Sequence, residues 1–153
     1  MYIDKATIRS LDLLRYMGKW YEIARITHRF ERGLVGCTAN YTINDNGTIK
    51  VVNSGYKNCI GGKFRQIEGV AKQPDSTKPG ALKVSFFLWF YVNYLILELD
   101  EENYSYALIG SSSSDYLWIL SRTPQLSDVN LKFLLQRVGE RGYKSSKLYF
   151  TPQ

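Results

Sequence analysis

The stretch Gly18-Lys19-Trp20-Tyr21-Glu22-Ile23-Ala24-Arg25 constrains the fold of this chain more than any other. A glycine two residues before a tryptophan lets the backbone bend tightly, so the large ring can turn inward and plug one end of a sheet. The residues that follow read as a β-strand from about Lys19 to His28. Alternation puts Trp20, Glu22, Ala24 and Ile26 on one face, with Tyr21, Ile23 and Arg25 on the other.

Aromatic content points the same way. Twelve tyrosines, seven phenylalanines and three tryptophans among 153 residues favour pleated, half-buried surfaces and hence a β-rich fold. That length suits one domain, residues 1–153, with a real core. The segment His28-Arg29-Phe30-Glu31-Arg32-Gly33 is charged and ends in glycine, so it reads as a loop. Asn44-Asp45-Asn46-Gly47 then signals a hairpin, because Asn-Gly tolerates positive φ. Cys37, Ala39, Tyr41 and Ile43 share one face of its first arm, and Ile49 and Val51 alternate with polar residues in the second.

Further strands follow through Ile67 and Ala71, and through Leu82, Val84 and Phe86, with a turn from Pro74 to Gly80 between them. Tyr94–Leu99 is apolar on both faces, as expected where one face lines an interior and a helix covers the other. Strands through Tyr106–Ile109 and Tyr116–Ser121 flank a serine turn. After Pro124 the period changes: Leu131, Leu134, Leu135 and Val138 fall at i, i+3, i+4 and i+7, one stripe of an amphipathic helix. Ser127 caps its start, and Gly139 or Gly142 ends it. Lys147–Phe150 gives a last short strand. The expected fold is all-β: an eight-stranded antiparallel up-and-down barrel, with one C-terminal helix packed outside and a short terminal strand.

Most catalytic chemistries lack their residues. The chain has one histidine, His28, and two cysteines, Cys37 and Cys59, so a multi-histidine metal site is impossible. No Gly-x-Ser-x-Gly elbow and no phosphate-binding glycine loop occurs. We therefore expect no metal, no cofactor and no enzymatic activity. No apolar run reaches the roughly 18 residues of a spanning helix. The net charge of +6 is scattered along the chain, which speaks against a nucleic-acid partner. No signal peptide is legible after Met1; a cytosolic chain and one whose export leader has been removed both fit.

These features together resemble the lipocalins over essentially the whole chain. Gly18-x-Trp20 matches the motif that opens the first strand. Asp100, with Tyr104 or Tyr106 after it, is similar to the family's Asp-Tyr turn, stretched by a residue. Arg122 stands where the family keeps an arginine that packs over the tryptophan. Two longer stretches, Trp20–Arg25 with His28–Gly33, and Asp115–Pro124, resemble the bacterial outer-membrane lipoprotein lipocalins and their plant temperature-induced and apolipoprotein D relatives. Leu82-Lys83-Val84-Ser85-Phe86-Phe87 adds to that likeness. Where bacterial relatives tend to have Gly-Pro after this strand, the chain has Leu88-Trp89, and its cysteines are not typical of the branch. The resemblance implies an outer-membrane or periplasmic place through an acylated N-terminal cysteine; no cysteine occurs in residues 1–17, so that place rests on the resemblance alone.

The implied function is binding and transport, or storage, of a small hydrophobic ligand, a fatty acid or lysophospholipid. Parity proposes the lining: Ala39, Tyr41, Val84, Phe86, Tyr94, Ile96, Tyr116 and Trp118. Trp20 and Arg122 should seal the closed end. Glu22 and Glu98 fall on the inward parity and would need partners. His28, Arg29 and Arg32 are headgroup candidates at the mouth. Cys37 and Cys59 lie close enough along the hairpin for a bridge. Two alternatives are a thiol-dependent lipid isomerase using Cys37, inward on the second strand, and an interaction module. In the latter, the apolar run Phe87-Leu88-Trp89-Phe90 would meet a membrane surface or a second copy in a homodimer.

Overall fold

Gly18 takes a φ of +98°, a region that side-chain-bearing residues rarely adopt, and from that bend β1 (Gly18–Ile26) sets out. The structure, a computed structural model, describes residues 2–26, 31–87 and 90–153, with the backbone alone at Phe87. Seven further strands follow: β2 (Leu34–Ile43), β3 (Ile49–Lys57), β4 (Phe64–Lys72), β5 (Ala81–Phe87), β6 (Phe90–Leu99), β7 (Tyr106–Gly110) and β8 (Leu117–Ser121). Each pairs antiparallel with the next, and β8 and β2 both pair with β1, so the sheet closes into an eight-stranded barrel. Closure leaves no free edge among these strands to recruit another chain. A short β9 (Leu148–Phe150) pairs with the end of β1 outside this circle.

The hairpin read from Asn44–Gly47 forms as expected. Gly47 has a φ of +86°, and the Asn46 side-chain Oδ1 accepts from the Thr48 N–H at 3.0 Å. The helix α1 (Leu13–Tyr16) precedes β1, and α2 (Asp128–Glu140) follows β8. Ser127 caps α2, its hydroxyl accepting from the Asn130 N–H at 3.2 Å, and Gly142 leaves the helix at a φ of +97°.

The wall separates two cores. Inside the barrel, Trp20, Ala39, Tyr41, Val51, Leu82, Val84, Ile96 and Leu120 pack with Tyr16 from α1. Outside, Leu134 and Val138 of α2 press onto Ala24, Ile26, Leu97, Leu108 and Ile119. The helical stripe and the two-faced apolar strand β6 are thus explained by one contact.

Two bulges correct the simple alternation. β1 slips register between Glu22 and Ala24, so Ala24 and Ile26 join the outer core and Arg25, expected outside, turns in. β6 slips between Ile96 and Glu98, which puts Glu98 outside. There it pairs with Arg137 Nη2 at 3.0 Å and Arg141 Nε at 2.7 Å, both beyond the wall at the α2 end. One extra residue in a strand reverses the facing of everything after it.

The closed end is the one that holds Gly18. Trp20 is fully buried, its Nε1 donating to the Tyr16 carbonyl at 2.8 Å. The Arg122 guanidinium lies 3.9 Å from the ring centroid, as expected for the pair. It also donates to the carbonyls of Tyr104, Lys19 and Arg15 at 3.2, 3.0 and 2.6 Å. Asp100 organises the adjoining turn, accepting from the Asn103 and Ser105 N–H groups, each at 3.3 Å, and from the Ser105 hydroxyl. This turn places Tyr104 at a φ of +51°, with its carbonyl toward Arg122. Of the two tyrosines left open by the sequence, Tyr104 is the one tied to the closed end.

Candidate functional site

Exposure changes systematically along the inward-facing positions. On β6, Ile96 is 0% exposed, Tyr94 is half-buried, Val92 is 44% exposed and Phe90 is 71% exposed. On β4, Ala71 is buried while Ile67, on the same face, is 51% exposed. Apolar side chains that point inward yet meet solvent mean that the barrel is filled at the Trp20 end and open toward the other. The candidate site is this apolar lumen.

The residues proposed from parity converge on it. Ala39, Tyr41, Val84 and Ile96 are buried in the inner core, with Phe86, Tyr94 and Trp118 half-buried against it. Tyr116 precedes β8 and stacks its ring on Trp118, with centroids 6.0 Å apart and planes at 18°. Arg32 is exposed in the turn Glu31–Gly33. His28, Arg29, Leu88 and Trp89 lie outside the described residues.

Among the described residues two hydrogen-bonded groups of polar side chains interrupt the apolar lining; alternation turned Tyr41, Tyr94, Glu22 and Cys37 inward but did not show how they join. The first is a chain of phenols: the Tyr94 hydroxyl is 2.6 Å from that of Tyr16 and 2.8 Å from that of Tyr41. Tyr16 reaches the interior from α1, so no strand period could reveal it. The second centres on Arg25, turned inward by the bulge. Its Nη1 lies 2.8 Å from Glu22, 3.7 Å from Glu31 and 3.6 Å from the Cys37 sulfur. Glu31 in turn accepts from Trp118 Nε1 at 2.6 Å, and Thr151 donates to Glu22 at 2.5 Å.

The electrostatics follow from this crowding. Burial, then the neighbouring Glu31 charge, raise the Glu22 carboxyl well above its ordinary value, outweighing Arg25 and Thr151. One guanidinium faces two carboxyls, and the crowding falls on the more buried of them. Burial, with the Glu22 and Glu31 charges, pushes the Cys37 thiol up to about 12. A thiol held protonated is a poor nucleophile, which speaks against the isomerase alternative. The donor atoms of Glu22, Glu31 and Cys37 lie within 4.8 Å of one another. Arg25 Nη1 contacts all three and already supplies the cation that a metal would bring.

Of the two outcomes the sequence left open, a Cys37–Cys59 bridge or two free thiols, the structure has the second. Cys37 is buried beside Arg25, whereas Cys59 is exposed in the β3–β4 connection. Proximity along a hairpin does not by itself bring two cysteines to bonding geometry.

A closed eight-stranded barrel, plugged by a tryptophan–arginine pair and hollow above it, defines a class of ligand-enclosing proteins. The profile of the lipocalin-like domain matches residues 11–153, and the chain belongs to that family. It is 44% identical over 146 residues to the outer membrane lipoprotein Blc of Escherichia coli, covering 95% of this chain and 81% of that one. To temperature-induced lipocalin-1 of Arabidopsis thaliana it is 41% identical, over 98% of this chain and 83% of the relative. The solved structure of insecticyanin from the tobacco hornworm superposes with a TM-score of 0.79 at 23% identity, covering 100% of this chain and 86% of the other. Fold and family together support the binding of a small hydrophobic ligand.

Proposed function

We propose that the protein holds a single-chain lipid, a fatty acid or a lysophospholipid, in the lumen, and that it carries or stores this lipid at the outer membrane. The observation that carries this reading is the set of inward-facing apolar side chains, Ile67, Val92 and Phe90, left open to solvent above a filled floor. Phe86, Tyr94, Tyr116 and Trp118 are the contacts best placed to meet the ligand, while Ala39, Tyr41, Val84 and Ile96 back them. Each methylene withdrawn from water contributes about 0.8 kcal/mol, so ten give a gross gain of about 8 kcal/mol before immobilisation is subtracted. Micromolar affinity is the expected outcome. The outer-membrane place comes from the Blc relatives, which carry that location in their name.

Trp118 supplies the test, since its ring lines the lumen and its Nε1 is held by Glu31. Lysophospholipid or fatty acid should change its fluorescence saturably, and Trp118→Phe should lose the signal while keeping affinity. No saturable response and no displacement of a lipid dye at tens of micromolar would refute a carrier. Mass spectrometry of an organic extract of the purified protein would name the ligand class directly.

A second reading concerns the rim. Phe90 is strongly exposed and Ile60, in the β3–β4 connection, is 54% exposed, so the open end carries apolar surface. A membrane surface is the partner of choice, because lipid would then enter the lumen without crossing water.

A further inference from the structure

The hydroxyls of Tyr16, Tyr94 and Tyr41 make two contacts, and no other protein group bonds them among the described residues. Burial raises all three phenols above their ordinary value, Tyr41 to about 12, so each keeps its proton. Three O–H donors therefore serve two contacts. Whichever way the chain is oriented, one proton is left without a protein acceptor. Its position matters. On the inner face of β6, Ile96 below Tyr94 is buried and Val92 above it is exposed, so the phenols form the floor of the open lumen.

We propose that this tyrosine floor is a subsite for the carboxyl end of a fatty acid, which lies head-down with its chain running up past Val92 to Phe90. The inference rests on the lumen being the ligand site and narrows the ligand class. A neutral carboxylic acid completes the count: its carbonyl accepts the spare phenol proton, and its own O–H donates to a phenol lone pair. A carboxylate would bring an uncompensated charge into the floor. The nearest cation, Arg122, lies on the Trp20 ring and is committed to three carbonyls. Arg25, on the β1 side of the lumen, is matched by Glu22 and Glu31. A lysophospholipid, with its bulky and permanently charged head, cannot use this floor and would have to bind tail-down.

Carbon-13 spectroscopy of palmitic acid labelled at the carboxyl decides the orientation. In the wild-type complex the bound carboxyl resonance should not move with pH from about 4 to 8, where a solvated carboxyl titrates. Tyr94→Phe, which breaks both phenol contacts and keeps the ring against the acyl chain, should weaken palmitate binding by about tenfold and lysophosphatidylcholine binding by much less. A bound resonance that titrates like a solvated carboxyl would place the head at the mouth and overturn this inference, leaving lumen binding intact. Absence of any bound palmitate resonance would overturn this inference, and absence of lysophosphatidylcholine binding as well would overturn the carrier reading itself. The wild-type titration needs no variant, so the test stands even if Tyr94→Phe fails to fold.

Discussion

Replacing Arg122 by Met probes the plug at the closed end while keeping much of the side-chain volume. The guanidinium makes three charge-assisted hydrogen bonds, to the carbonyls of Tyr104, Lys19 and Arg15, and one ring contact at 3.9 Å. Buried bonds to a charged group are worth about 1.5–3 kcal/mol each. The arginine is only half-buried, so water can replace part of each bond, and about 0.5–1 kcal/mol apiece is the better estimate. The cation–π contact adds about 0.5–1 kcal/mol. The expected loss is therefore about 2–4 kcal/mol. In a chain of 153 residues each kcal/mol shifts the thermal midpoint by about 2–4 °C, giving a fall of roughly 4–16 °C. Arg122→Lys keeps a charge over the ring, but one ammonium cannot serve three carbonyls, so it should recover about half. Trp20→Ala, which opens a cavity, should cost about 3–5 kcal/mol. The double variant should lose less than the sum, by about the ring contact. Calorimetry and urea unfolding of the four proteins measure this. An Arg122→Met midpoint indistinguishable from wild type, or strict additivity with Trp20→Ala, would show that the pair does not hold the closed end.

Three further outcomes are expected. Because the folded Glu22 carboxyl lies above its unfolded value, its stabilising contribution is present below the unfolded pKa and is lost as pH rises through the folded one. Glu22→Gln should flatten that decline in a series of urea midpoints against pH; an unchanged slope would assign the pH dependence elsewhere. In native alkylation, exposed Cys59 should react fast and buried Cys37 hardly at all, with two thiols counted after denaturation under non-reducing conditions; no thiol at all would mean a bridge, and one fast thiol with none hidden an oxidised Cys37. Replacing both Leu88 and Trp89 by Ser should reduce liposome co-sedimentation or dimerisation with ligand affinity nearly unchanged, whereas a fall in affinity alone would make this stretch a lid.

The strand order was legible because its signals are local. Asn44–Gly47 announces a hairpin whatever lies around it, and the stripe Leu134, Leu135, Val138 needs only the helical period to be read. The tryptophan plug and Arg122 were legible as a resemblance. Tyr16 was not, since it enters the barrel from a single helical turn whose place is fixed by the plug it covers. Glu31 was hidden for a similar reason: it sits in a connection, and only closure of the barrel brings it to Trp118.

The misread facing of Arg25 has a deeper cause than a missed local signal. β1 pairs with β2 only from Gly18 to Tyr21, runs beside β8 through Arg25, and meets β9 from Ala24 onward. A strand that changes neighbours must shift its register, and the bulge after Glu22 is where it does so. The gap thus opened between β1 and β2 is bridged by the residues after β9. Thr151 N–H donates to the Ile23 carbonyl at 2.9 Å, and Gly36 N–H to the Pro152 carbonyl at 2.6 Å. Gln153 Nε2 reaches the carbonyls of Glu22 and Cys37 at 2.7 and 2.9 Å. A closed barrel therefore depends here on contacts between residues about 130 apart in sequence, such as Thr151 with Glu22, which no periodicity along one strand encodes. The same shift that made the sequence misleading turns Arg25 inward and requires Glu22 and Glu31 to neutralise it. The charged group thus belongs to the closure of the wall.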